Sequence, residues 1–384
     1  MISFPTLGKS HVNFRSKIRE FAEEIIKPVA ANLDEKAKFS AEITKKMGDA
    51  GLFGINIPVS YGGQNLDTLS YIIAVEEIAR IDGSQAATVA SHNSLGIGPI
   101  YYFGTDKQKK DLLPGLCTGE RLWAFGLTEP TAGSDSRGTK TSARLEQGEW
   151  IINGHKTFIT NSASELSAGA TIQVITGESK GRKELSVLLV PRASRGYSTQ
   201  HIENKMMWRA ADTGQIFFKD CRVPESNILG NRGDGSKIML ETLDSGRLSI
   251  AAMGLGLAQG AFEQALEYTD KREQFGRTIN KFQAISFKLA DMATKIELAR
   301  NTLYTACWRK DSGKSFGKEA AMAKLYCSEI AKEVADEALQ VHGAYGLFKN
   351  SAIERFYRDQ RILQIGEGTS EILRLVISRH LGIK

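Results

Sequence analysis

Cysteine is scarce in this chain of 384 residues. There are four, Cys117, Cys221, Cys307 and Cys327. None forms a C-x-x-C pair and none sits beside clustered histidines, so neither a zinc centre nor a disulfide framework is expected. The expected metal content is none, and the expected compartment is reducing, the cytoplasm. Long hydrophobic runs are also missing. The most apolar stretch, Ile250–Ala258, is broken by glycines and is too short to span a bilayer. The first residues, M-I-S-F-P-T-L-G-K, carry no charged leader ahead of an apolar core, so no signal peptide is expected. Charge of one sign does not dominate: 50 basic and 44 acidic residues are interspersed, for a net +6. That argues against nucleic acid as a partner. No internal repeat or low-complexity linker appears. What is present is a globular composition, 41% hydrophobic and 24% charged, on a chain long enough for two or three domains.

Three zones are expected, at 1–120, 121–230 and 231–384. The first is helical. Phe14, Ile18, Phe21 and Ile25 recur at helical steps, with Pro28 ending the pattern, and Ile72, Val75 and Ala79 repeat the spacing. Gly51, Pro58, Gly62 and Gly63 mark a loop between helices. The second zone holds short β-branched and aromatic runs at 150–152, 171–176, 185–190 and 215–218, punctuated by turns, and reads as a small antiparallel β domain. The third is helical again. One stripe runs through Phe282, Ile285, Leu289, Met292, Ile296, Ala299, Leu303 and Ala306, with Asn280 as its expected cap. A second runs through Ala323, Cys327, Ile330, Val334, Ala338 and Val341. Long amphipathic helices with short glycine-containing loops predict a bundle.

Three runs could carry chemistry. F-G-L-T-E-P-T-A-G-S-D-S-R-G, from Phe125 to Gly138, lies at the first boundary. Its glycines permit close approach to a flat or phosphorylated ligand, while Thr128 and Ser134 offer hydroxyls. A plain glycine-rich surface loop is the other reading. The run is neither a P-loop nor a dinucleotide fingerprint, since no G-K-S/T ending and no strand–helix context is there. Q-V-H-G-A-Y-G at Gln340–Gly346 interrupts a helical zone, as a ligand-touching helix end or as an ordinary turn with a structural His342. In Q-I-G-E-G-T-S-E, Glu367 stands between two glycines on an expected exposed loop before a helix at 371–381. It is a candidate general base if burial raises its proton affinity, or otherwise a helix-capping carboxylate.

Together these runs resemble the acyl-CoA dehydrogenase family over nearly the whole length. G-L-T-E-P-x-A-G-S-D-x-x-G stands complete at Gly126–Gly138. Gln340, Gly343, Gly346, Asn350, Arg355 and Asp359 match a second signature, and E-G-T-S-E-I at Glu367–Ile372 a third. G-R-L-S-I-A from Gly246 and K-E-A-A-M-A-K-L from Lys318 are similar to short-chain and bacterial members. The resemblance implies an α+β fold: an N-terminal helical domain, a middle antiparallel β domain and a C-terminal four-helix bundle. It also implies FAD. Phe125, Leu127, Thr128, Gly133, Ser134, Phe158, Ile159 and Thr160 would line the flavin. Phe158 stands where Trp is frequent, which keeps the aromatic surface and loses the indole donor. Arg272, Phe275, Gln283, Gln340, Gly343 and Ala344 would meet the dinucleotide half across a subunit boundary. Ala344 replaces the usual Gly or Ser. Thr369 and Glu371 would hold FAD after the catalytic loop. Ser134, Asp244, Arg247 and Gly368 would contact the acyl-CoA.

Glu367 matches the family's catalytic base. Some relatives place the base just before the Arg of the D-x-x-R pair, where this chain has Gly246. Gly366 stands where many relatives have Tyr. The implied reaction is α,β-dehydrogenation of an acyl-CoA thioester to the trans-2-enoyl-CoA, within fatty acid β-oxidation. Glu367 would remove the pro-R α-proton, with flavin N5 as hydride acceptor, and the flavin ribityl hydroxyl and the Glu367 N–H would bind the thioester carbonyl. An electron-transfer flavoprotein is the implied electron acceptor, and a homodimer or homotetramer the implied assembly. A flavin oxidase of the same fold and a non-enzymatic CoA-thioester binder are the alternatives. Ser91–Leu95 stands where relatives line the acyl pocket, so His92 or Asn93 would either meet a polar acyl tail or serve the core.

Overall fold

The computed structural model describes residues 7–179, 181–349 and 351–383. Its first zone opens with a nearly unbroken rod: α1 (Lys9–Phe21), a π-turn at Ala22–Ile26, and α2 (Lys27–Glu35). Pro28, the expected helix end, lies instead in the first turn of α2. Proline is tolerated there because the preceding π-turn has already interrupted the hydrogen-bond ladder. The π-turn also rotates the buried stripe, which runs Ile18, Ala22, Ile26, Ala30, while Phe14, Phe21 and Ile25 are half-buried. Helices α3 (Ala41–Asp49), α4 (Thr68–Ala79), α5 (Gly83–Ser91), α6 (Gly98–Phe103) and α7 (Asp106–Cys117) follow. A second π-turn, His92–Ile97, joins α5 to α6.

Helix α4 is buried on every side. Its two interior glutamates are neutralised from neighbouring helices and from its own C-cap, Arg80. Glu76 accepts from Tyr304, Arg300 and Arg15, and Glu77 from Arg19 and Arg80. Arg80 also reaches Glu263 and Glu23. A buried carboxylate is tolerable only when paired in this way.

The middle zone holds β1 (Leu122–Gly126), β2 (Ser142–Glu146), β3 (Glu149–Thr160), β4 (Ser167–Ser179), β5 (Arg182–Pro191), β6 (Tyr197–His201) and β7 (Thr213–Pro224). The order is β1-β4-β2-β3-β7-β6, with β5 also on β4. The expected antiparallel pairing holds for β2–β3, β3–β7, β4–β5 and β6–β7. β1 and β2 pair with β4 in parallel, which makes the sheet mixed.

The last zone holds α8 (Gly235–Lys271), a hairpin of β8 (Glu273–Gln274) and β9 (Arg277–Thr278), then α9 (Gln283–Asp311), α10 (Gly317–His342), α11 (Ala352–Asp359) and α12 (Ser370–His380). The two expected stripes are buried from Leu289 to Ala306 and from Ala323 to Val341. Asn280 does not cap α9. It sits in a 3-10 turn, and Phe282 precedes the first helical residue, Gln283. Among the described residues no helix is long and apolar enough to cross a membrane.

Candidate active site

The 3-10 turn Gln360–Gln364 leads to Glu367 and Gly368, whose φ angles are +54° and +102°. For a glutamate this left-handed backbone is uncommon. The turn throws the carboxylate back onto α8, so it is not exposed on a loop as expected. A Cβ at Gly246 would lie 2.0 Å from Glu367 Oε2 and 2.9 Å from Leu95 Cδ2. Glycine at 246 thus makes the seat. Oε2 is sealed from solvent and, among the described residues, has no hydrogen-bond partner. Burial pushes the Glu367 carboxyl up to about 7, against the pull of two nearby cations, Lys324 and Arg247. Arg247 is buried on α8 and pairs with Asp244 one turn away. Its Nε has no hydrogen-bond partner among the described residues. Burial raises the Asp244 carboxyl and Arg247 offsets part of that. Lys324, on α10, donates to the Gly368 carbonyl at 2.6 Å.

Hydroxyls surround the seat. Ser249 Oγ donates to the Gly246 carbonyl at 2.7 Å and lies 3.2 Å from Ser94 Oγ, and Tyr71 donates to the Ala90 carbonyl at 2.7 Å. His92 and Asn93 are committed elsewhere. The Trp123 N–H donates to His92 Nδ1 at 3.1 Å, and Nε2 donates to the Leu116 carbonyl at 2.9 Å. Burial pushes this imidazole down to about 4. Asn93 donates to the Leu52 and Val89 carbonyls and accepts from the Ile55 N–H. Both residues hold the π-turn in place, which decides between the two readings in favour of the core.

Leu95 links the base to the first run, because it packs in one cluster with Phe125 and Leu127. The Gly126–Gly138 segment is braced from beneath. Glu129 accepts from the Lys140 and Thr141 N–H groups and from Lys156 Nζ at 2.7 Å. Lys156 is fully buried and also reaches the Leu127 carbonyl at 3.3 Å. The Thr157 N–H donates to the Thr128 carbonyl. Above that brace, Gly133 and Ser134 are exposed, and nothing lies within 4 Å of where a Gly133 Cβ would be. Phe158 is 67% exposed with φ +60°. Ile159 points into the sheet core, so only its backbone can face a ligand. Thr160 pairs with Thr213 across β3–β7. An open glycine ledge beside a bare aromatic ring fits a flat ring system.

At the other end, Arg272 lies over the Tyr345 ring, and Tyr268 stacks on His342. These residues, with Lys271 and the Glu267 that pairs with it, line a cavity of about 460 Å³ in which Arg272 is the cation left for an anion. Phe275 is 93% exposed at the hairpin tip, and Gln283, Gln340, Gly343 and Ala344 are exposed. Gly343 has φ +56° where α10 ends. Thr369 and Glu371 serve α12. Thr369 Oγ1 accepts from the Ile372 N–H, and Glu371 is held low by its own backbone N–H and the Thr369 hydroxyl. Asn350 falls outside the described residues. Arg355 and Asp359 join the three zones rather than the site. Asp359 accepts from the Trp208 N–H at 2.7 Å, and Arg355 faces Asp82 at 3.4 Å.

Sequence reasoning missed Lys156, Glu129 as its partner, and Lys324. Lys324 carried a signal: a lysine on the buried stripe of α10, one turn from Cys327 and Ser328.

Profiles of the acyl-CoA dehydrogenase N-terminal, middle and C-terminal domains match residues 8–120, 124–221 and 233–382. A probable acyl-CoA dehydrogenase of Bacillus subtilis is 45% identical over 376 residues, 98% of each chain. The solved butyryl-CoA dehydrogenase of Megasphaera elsdenii has a TM-score of 0.95 at 38% identity, covering 99% of this chain and 100% of that one. A chain from a structure of the Acidaminococcus fermentans electron transferring flavoprotein has a TM-score of 0.95 at 41% identity, covering 98% of both.

Proposed function

Since the chain belongs to the acyl-CoA dehydrogenase family, an oxidoreductase family acting on acyl-CoA with a flavin, we propose that Glu367 is its catalytic base and FAD its flavin. The observation that carries this is the Glu367 carboxylate itself, seated on the α8 backbone with an unpartnered, sealed Oε2 and a proton affinity raised to about 7. A base at that value is about half ionised at neutral pH and still holds a proton well.

The substrate is an acyl-CoA thioester with a short chain, as the similarity to a butyryl-CoA dehydrogenase suggests. Asp244 and Arg247 orient its CoA end, with Ser134 and Gly368 as further contacts. Glu367 takes the α-proton. The β-hydrogen leaves with its electron pair and the trans double bond forms between the two carbons. FAD, when bound, supplies the hydride acceptor. Phe125, Leu127, Thr128, Gly133, Ser134, Phe158, Ile159 and Thr160 hold its ring, Ile159 through backbone. Arg272, Phe275, Gln283, Gln340, Gly343 and Ala344 serve the dinucleotide half of a neighbouring subunit's FAD, which makes the working form a homodimer or homotetramer. Thr369 and Glu371 act through the α12 cap. The division at 120 and 230 places the flavin ledge on the middle domain and the base on the bundle. An electron-transferring flavoprotein takes the electrons onward, a reading supported by the likeness to a chain in such a structure.

The test is anaerobic titration of the purified yellow protein with acyl-CoAs of increasing length, following bleaching near 450 nm. Butyryl-CoA is expected to bleach wild type. Glu367→Gln is expected to keep its flavin and bind the thioester without bleaching. Bleaching by that variant at the native rate would sink the assignment. Rapid oxygen uptake during turnover would mark an oxidase.

A further inference from the structure

We infer that Lys324 is the positioning residue of this base: its buried ammonium grips the Gly368 carbonyl, holds the left-handed Glu367–Gly368 turn against α8, and keeps Glu367 in its proton-accepting form. The inference rests on the reading of Glu367 as the base.

Long cationic side chains ordinarily run their stems over apolar surface and keep the charge in water. Lys324 does not. It is 0% exposed, among the largest fully buried side chains of the chain. Burying an ammonium is costly unless something compensates. Among the described residues its one hydrogen bond is to the carbonyl next to the base, at 2.6 Å. A neutral amide or hydroxyl could satisfy that carbonyl equally well. What lysine adds is charge, delivered one residue from the carboxylate through a bond that also fixes the backbone carrying it.

The groups around the pair come from several helices. Glu367 is faced by Lys324 from α10, Arg247 from α8 and the Tyr71 phenol from α4. Lys324 is faced by Glu367, Arg247, Glu329 on α10 and Glu371 on α12. Arg247 is already engaged by Asp244. Glu329 accepts from Ser370, and Glu371 from its own helix cap. Among the described residues Lys324 hydrogen-bonds the Gly368 carbonyl alone, so its charge is matched by no contacting carboxylate. Burial lowers the ammonium to about 8, so it is charged at neutral pH. An opposite charge nearby favours the ionised carboxylate, and its removal raises the pH at which the carboxylate lets go of its proton.

The experiment uses the flavin-loaded enzyme and butyryl-CoA. Stopped-flow flavin bleaching is followed from pH 5.5 to 9 for wild type, Lys324→Met, Lys324→Arg and Glu367→Gln. Lys324→Met is expected to bind flavin, with the acid limb of its rate profile moved up by about one pH unit and its rate on that limb about tenfold lower. Lys324→Arg keeps the charge and is expected to restore the limb, even where its bulk slows turnover. If methionine costs flavin binding, Lys324→Gln, which keeps a donor for the Gly368 carbonyl, is expected to show the same upward shift. A neutral variant that binds flavin and keeps the native limb would overturn the inference, whatever happens to its rate. A Glu367→Gln protein that still bleaches would instead sink the reading of the base, so the two failures are told apart.

Discussion

Gly246 contributes by what it leaves out. Any side chain there puts a Cβ 2.0 Å from Glu367 Oε2 and 2.9 Å from Leu95. Gly246→Ala should therefore push the carboxylate off its seat. Misplacing a reacting group by about 1 Å can cost about 100-fold in rate, so flavin reduction should slow by roughly tenfold or more in a protein that keeps its flavin. Glu367 also makes a stability prediction. Its folded-state proton affinity is raised above the usual carboxylate value by burial, to about 7. The folded state thus binds the proton more tightly than the unfolded state, and stability is lost as pH rises through that window. Glu367→Gln removes the ionisation cost, so its melting temperature should exceed wild type at pH 8 and converge with it at pH 5, as scanning calorimetry would read. The glutamate was legible as a residue from its glycine-flanked motif. Its seat was not, because the seat is built by α8, far away in the chain. His92 and Asn93 show the converse. Their polarity suggested a ligand, but backbone groups of Trp123 and Leu116 take up the His92 ring, and those of Ile55 and Leu52 the Asn93 amide.

At the scale of elements, the flavin ledge depends on a strand beneath it. Lys156 rises from β3 to bind Glu129 and the Leu127 carbonyl, both within the glycine run. Lys156→Met leaves Glu129 buried beside two backbone donors and no cation. Breaking a buried pair from one side costs about 3–5 kcal/mol, and the loop it braces carries the ledge. The variant should purify pale, with a low ratio of 450 nm to 280 nm absorbance that added FAD restores only in part. Strands β3, β4, β5 and β7 were readable from their β-branched and aromatic runs between turn residues, whereas the short β1, β2 and β6 were not. Helices α9 and α10 were readable because their apolar stripes keep one phase throughout. The end of the first helix was not, since the π-turn at Ala22–Ile26 shifts the phase within the element and lets Pro28 through. The parallel pairings of β1 and β2 with β4 leave no local mark either.

At the scale of the whole molecule, the three zones meet at Asp82, Trp208, Arg355 and Asp359, one or two residues from each. Asp359 accepts from the Trp208 N–H through Oδ1, while its Oδ2 and that of Asp82 have no hydrogen-bond partner among the described residues. Burial, with Asp82 adding repulsion, pushes Asp359 up to about 7. Asp359→Asn keeps the acceptor for Trp208 and removes the repulsion, so it should hold or raise the melting temperature at pH 8. Asp359→Ala loses the acceptor and should lower it, with the zones loosening together. The motif pointed to Asp359, but the junction it serves lies between residues that only folding brings together. One feature at the rim extends this picture beyond a single chain. Phe275 stands 93% exposed in a left-handed turn at the tip of the β8–β9 hairpin, with Gly276 beside it and Phe282 edge-on to its ring. An aromatic ring held out in that way obeys mass action. If it closes over a neighbour's dinucleotide, flavin affinity becomes a function of protein concentration, and dilution at constant free FAD would strip the cofactor from an otherwise folded enzyme.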